Sequence, residues 1–195
     1  MKNLTILLLI LITFSGKAQT PIIPLDSFDD FPNGAYYKDV NNDLTKYAGT
    51  WQNTQGNSVL TIVLQKKEMI YDDTDYYDMI IGEYKYSQNG VELVNTLPLL
   101  NNPTVVGDYH NISGYSLLYR GFFPVCEECP ATEIRRKLHI SDPQREYLNY
   151  RMGLQYINAT TIKITIYPQG TIILPENAHT SLRVPDGVYI MTKVQ

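Results

Sequence analysis

Cys126-Glu127-Glu128-Cys129 brings the chain's two cysteines together at the spacing of a redox dithiol. Redox chemistry at such a motif needs a thiolate, which a helix N-terminus or nearby cations stabilise. Here two glutamates lie between the sulfurs and disfavour thiolate. Pro124 and Pro130 bracket the motif in a strand-to-strand connection and not at a helix start. A local structural disulfide between Cys126 and Cys129 is the expectation, with redox chemistry and metal binding by two thiols as the lesser alternatives. A second cluster, Asp72, Asp73, Asp75 and Asp78, has the oxygen ligands that calcium takes. An EF-hand register starting at Asp73 fails, because Asp78 falls on the required glycine and Tyr84 on the required glutamate. What remains is a solvated, self-repelling loop. His110, His139 and His179 are far apart in the sequence, and their spacing supplies no metal geometry.

Other catalytic patterns are missing. The chain contains no Gly-x-Ser-x-Gly elbow, His-Glu-x-x-His helix, P-loop or dinucleotide-binding glycine fingerprint. A non-enzymatic protein without cofactor or metal is the expectation. The positive hint of binding is aromatic: sixteen tyrosines, whose rings have an apolar face and a polar tip. Tyr84, Tyr150, Met152 and Tyr156 are the candidates for lining a ligand cavity, with packing of the core as their alternative use.

The elements that would position these residues are strands. Leu148, Tyr150, Met152, Leu154 and Tyr156 alternate with Asn149, Arg151, Gly153 and Gln155. Ile162, Ile164 and Ile166 repeat the pattern after a turn at Asn158-Ala159. Period two on both arms predicts an antiparallel pair with one buried face. Val59 to Leu64 predicts a buried strand. Met79 to Tyr86 and Val91 to Leu97 flank Asn89-Gly90, a two-residue hairpin turn signal. Tyr115 to Phe123 and Ile134 to Ile140 flank the cysteine turn. Pro185-Asp186-Gly187 leads into a last strand, Val188 to Val194. Before all of these, Lys38 to Tyr47 predicts a short helix, with Asp39 as N-cap and Val40, Leu44 and Tyr47 on one face. About nine closely spaced strands without βαβ alternation predict an all-β fold, an antiparallel up-and-down barrel of about 8 to 10 strands.

Lys2, the apolar run Leu4 to Phe14 and the small residues at Gly16 and Ala18 have the form of a secretory signal peptide over residues 1–18. An extended arm at 19–37 and a single barrel domain at 38–195 would follow. The run is shorter than the roughly 20 residues of a membrane span, and no later segment is apolar enough for one. The expected location is periplasmic or secreted. The formal net charge of −4, made more negative by loss of Lys2 and Lys17, excludes phosphate-driven nucleic-acid binding.

Leu44-x-Lys46-Tyr47-x-Gly49-Thr50-Trp51, ahead of the strands, resembles the opening of lipocalin-type (calycin) barrels. That resemblance implies that Trp51 packs across a barrel floor with a basic residue stacked on it; the sequence assigns no such partner. The Ser15 to Gln19 signal end, Asp39-Val40-Asn41, Tyr47-x-Gly49-Thr50-Trp51 and Met191-Thr192-Lys193 together resemble a family of small proteins exported by Bacteroidetes bacteria, known as a domain of unknown function. Many of its members have a lipidated cysteine at the signal end. This chain has Gly16 there and no lipobox cysteine, which argues against a lipid anchor. Two functions are expected: binding of a small apolar or amphipathic ligand in the barrel, or, alternatively, a cell-envelope protein-interaction module using exposed tyrosines and the acidic loop around Asp75.

Overall fold

Alternating burial along the strands builds the fold. In β4 (Ser58–Tyr71), Leu60, Ile62 and Leu64 are buried while Thr61, Val63 and Gln65, which alternate with them, are partly open. β10 (Thr161–Pro168) does the same with Ile162, Ile164 and Ile166. The computed structural model describes residues 20–27, 33–170 and 174–194; the expected signal peptide lies outside them, as does the 28–32 stretch of the expected arm.

Eight antiparallel strands close into a barrel. They are β3 (Gly49–Gln55), β4, β5 (Tyr76–Gln88), β7 (Ile112–Leu118), β8 (Arg135–Ile140), β9 (Tyr150–Asn158), β10 and β11 (Gly187–Val194). Neighbours in sequence are neighbours in the sheet, which makes the barrel up-and-down as expected. It closes where Gln52, Trp51 and Thr50 of β3 pair with Thr192, Lys193 and Val194 of β11.

β5 organises one side. One edge pairs with β4 along most of its length. The other edge is shared: Tyr76 and Tyr77 pair with β2 (Tyr36–Lys38), Ile80 to Gly82 with β7, and Lys85 to Gln88 with β6 (Val91–Asn95). β1 (Ile22–Pro24) lies parallel to β2 and extends this strap. Asn89 and Gly90 both have positive φ, 53° and 77°, as the hairpin signal requires.

Three expectations are corrected. Lys38 to Tyr47 is not a helix; only Thr45–Tyr47 forms a 3-10 turn. Asn42, at φ 58°, leaves the right-handed region, and the Asp39 carboxylate accepts the amides of Asp43 and Leu44, so the backbone folds locally around Asp39. Tyr115 to Phe123 is a strand only to Leu118. Val91 to Leu97 stops at Asn95, and a 3-10 turn follows over Leu97–Asn101.

Side chains fold into the core from segments at both barrel ends. Where β3 begins, Leu44 and Tyr47 pack into the same core as Trp51. At the other end Leu148, Leu182 and Val184 fold in from loops 141–149 and 174–186. Arg183 clamps those loops together, donating from Nε and its backbone amide to the Asp142 carboxylate and from Nη1 to the Leu93 carbonyl.

Candidate binding surface

Trp51 is fully buried, its Nε1–H donating to the Tyr47 carbonyl at 2.8 Å. The Lys193 ammonium lies 5.1 Å from the Trp51 ring centre and donates to the Ala48 carbonyl at 3.0 Å. This one side chain covers the tryptophan face and anchors the turn before β3.

The four candidate lining residues divide along the barrel. Tyr84, Tyr150 and Met152 are buried in the continuous core. The Tyr84 hydroxyl donates to the Ser141 carbonyl at 2.8 Å, and burial followed by repulsion from Asp142 raises its pKa. Tyr156 is half-buried and meets Tyr47 edge-on at 6.1 Å. Six residues of strand separate Tyr150 from Tyr156, about 20 Å, so these side chains do not surround one point.

Half of the acidic cluster departs from the expected solvated loop: Asp72 and Asp73 are exposed, but Asp75 and Asp78 are buried. Asp75 accepts the amides of Gly34 and Ala35. Asp78 accepts the Tyr36 hydroxyl at 2.6 Å and the amides of Asp39 and Met69 at 3.0 and 3.1 Å. Lys66 adds its ammonium 3.0 Å from Asp39. These carboxylates hold the β2 strap against β5, with backbone N–H groups where calcium would need free oxygens. Among the described residues no three His, Cys, Asp or Glu side chains are placed to hold a metal.

The histidines have separate surroundings. His139 is beside Arg151 at 2.6 Å; burial, reinforced by that cation, lowers its pKa. His179 is exposed. His110 is buried, with Nδ1 2.9 Å from Glu83, whose other oxygen accepts Asn111 Nδ2 at 2.8 Å. The sequence reading missed this group. Glu83 is on the outer face of β5, and residues 97–110 cover it only by folding back. The groove beside it, about 380 Å³ between Ile81 and the 100–107 segment, contains no hydroxyl or thiol among its lining residues. His110 is oriented there with no such nucleophile to activate.

The 119–134 connection groups several exposed aromatic side chains, Tyr119, Phe122 and Phe123. Cys126 and Cys129 form the expected disulfide and are buried. Arg135, also buried, donates to the carbonyls of Pro124 at 2.8 Å and Tyr119 at 3.2 Å, fixing the loop from beneath. Burial lowers the Arg135 pKa. The loop therefore turns outward at a fixed base, leaving Phe122 and Phe123 65% and 67% exposed. Phe123 sets its edge on Tyr167 at 5.0 Å, and a groove of about 480 Å³ runs beside it past Leu117, Tyr119 and Pro168. Val125 and Ile134 are exposed nearby.

No curated protein and no solved structure matches the chain. Residues 1–194 match the model of a family of unknown function, DUF6705, and the chain belongs to that family.

Proposed function

We propose that the protein is an exported, non-enzymatic interaction module that docks a cell-envelope protein through the 119–134 loop. The observation that carries this reading is the pairing of a side-chain-packed barrel with two phenylalanines held in solvent on an anchored base. Exposed aromatic clusters of this kind mark interaction surfaces. The loop contains Glu127, Glu128 and Glu133 against Arg120, which favours a partner with an apolar patch and a basic rim and disfavours an anionic lipid surface. This loop is preferred to the acidic loop around Asp75 because the Asp75 carboxylate is engaged by the amides of Gly34 and Ala35.

The test compares the wild-type protein with Phe122→Ser/Phe123→Ser in crosslinking and affinity measurements against envelope proteins of the cell that makes it. The expected result is one partner bound directly by the wild type and weakened at least about tenfold by the variant, at unchanged melting temperature. Equal binding by both forms, or retention by lipid vesicles alone, refutes the docking reading.

A second reading, a barrel that holds a small apolar ligand, is supported by two observations. Lys193 stands on Trp51 as the calycin resemblance implies, and a cavity of about 240 Å³ opens at the far barrel mouth beside Leu60, Tyr86 and Tyr189. A co-purifying small molecule in native mass spectrometry would favour it.

A further inference from the structure

On the other side of the disulfide loop, sharing no lining residue with the aromatic groove, is a polar groove of about 500 Å³. Its walls come from the Thr45–Tyr47 turn, the start of β8, the end of β9, residues 132–134 and Asp26 of the N-terminal arm. Three properties of its lining agree in sign.

The first is charge. Asp26, Asp43 and Glu133 face Lys46 and Arg136. Asp26 takes both terminal nitrogens of buried Arg136, at 2.6 and 3.1 Å, and Asp43 lies 3.6 Å from Lys46. Glu133 has no ion-pair partner among the described residues, so the groove has one carboxylate in excess.

The second is an unmatched acceptor. Gln155 is only 7% exposed and donates from Nε2 to the Cys129 sulfur at 3.3 Å. Its Oε1 is buried and receives no hydrogen bond. A buried acceptor without a donor is unfavourable and is met in folded proteins by water or a ligand.

The third is an aromatic corner. Tyr47 and Tyr156 stand at 90° to each other, and the Lys46 ammonium sits 5.5 and 5.7 Å from their ring centres. Two ring faces turned to one cation form the environment that stabilises ammonium groups. Lys46 is exposed, so displacing it into water returns it to full solvation.

We propose that this groove binds a small primary alkylammonium compound. Its cation replaces Lys46 between Tyr47 and Tyr156, with Glu133 supplying the countercharge, and an N–H of the ligand completes Gln155 Oε1. Lys46 is the internal stand-in that fills the corner when no ligand is present. The required N–H separates this class from quaternary ammonium compounds, which offer the same charge and no donor.

The test is calorimetric titration of the full chain with 1,4-diaminobutane, with tetramethylammonium as the donor-free cation. Saturable binding of the diamine is expected, tightened about fivefold by Lys46→Met, which removes the resident cation from the corner. Glu133→Gln, on the partly open rim, should weaken it about tenfold without altering the fold, and tetramethylammonium should bind more weakly than the diamine. No saturation by about 10 mM diamine in Lys46→Met, with melting temperature unchanged, overturns the proposal. So does equal affinity in wild type and Glu133→Gln, which would mean non-specific ion exchange.

Discussion

Asp78→Ala removes one small side chain and should cost the fold several kcal/mol, about as much as a large core truncation. Its carboxylate is fully buried and accepts three hydrogen bonds, from the Tyr36 hydroxyl and the amides of Asp39 and Met69. Two of these donors belong to the β2 strap and its continuation, and one belongs to the bulge in β4. Alanine leaves all three without that acceptor, the Tyr36 hydroxyl and Asp39 amide in a buried region and the Met69 amide in a partly open one. At about 1–3 kcal/mol for each stranded buried group, reduced where the strap can lift and rehydrate, the expected loss is about 3 to 6 kcal/mol. That is a large fraction of a typical domain's stability. Urea unfolding followed by tryptophan fluorescence measures the total, and hydrogen exchange at Tyr36 and Tyr37 separates local lifting from global unfolding. Asp78→Asn keeps one acceptor oxygen and should lose about half as much. A loss below about 1 kcal/mol in Asp78→Ala, with protected Tyr36 and Tyr37 amides, would refute the view that this carboxylate fastens the strap.

Three other outcomes follow from side chains at the ends of the barrel. Trp51→Ala should destabilise by about 3 to 5 kcal/mol in urea unfolding, and Lys193→Met, which keeps the packing stem and loses both the ring cation and the Ala48 hydrogen bond, by about 1 to 2 kcal/mol. Burial alone would raise the Asp142 pKa, but the Arg183 guanidinium and the amides of Gln144 and Arg183 outweigh it and hold the carboxyl below its ordinary value. A depressed folded-state pKa stabilises the fold above the unfolded carboxylate value of about 4, and that contribution is lost as pH falls through the folded value. Stability measured from pH 6 down to pH 2 should therefore fall more steeply in the wild type than in Asp142→Asn, and parallel curves would count against the clamp.

What the sequence made legible was mostly local. Period two along Ile162 to Ile166 survives in the barrel as one buried face, whereas in β9 Gly153 and Gln155 of the expected wet face are buried as well, Gly153 close to Leu118 and Pro124 and Gln155 against the Cys129 sulfur. Asn89-Gly90 was readable because a two-residue turn needs positive φ at both positions. The segment before β3 misled because Val40, Leu44 and Tyr47 have helical spacing, yet only Leu44 and Tyr47 reach the core. Asp75 and Asp78 look like a loop cluster until Gly34, Ala35 and Asp39, about 40 positions earlier, bring their amides to them. No local signal announces such a meeting. The same holds for Lys193, which reaches a carbonyl 145 positions away. Phe122 and Phe123 were absorbed into a predicted strand because their composition suits one. The turn at Tyr119 is imposed by Arg135, a residue from the next strand.

The pairing of β3 with β11 has a kinetic consequence. Nearly every other contact in the barrel is between consecutive strands, so most of the sheet can assemble by adding one hairpin to the next. Joining the two ends requires the chain to form a loop of roughly 140 residues for only three residue pairs of sheet. The entropy of closing that loop must be met before its few pairs can form, so this seam is expected to close late in folding. Lys193 sits on it, tied to the Trp51 ring and the Ala48 carbonyl on the opposite strand's side, and so works as a latch: it adds little to the core, but its loss should shorten the life of the closed form.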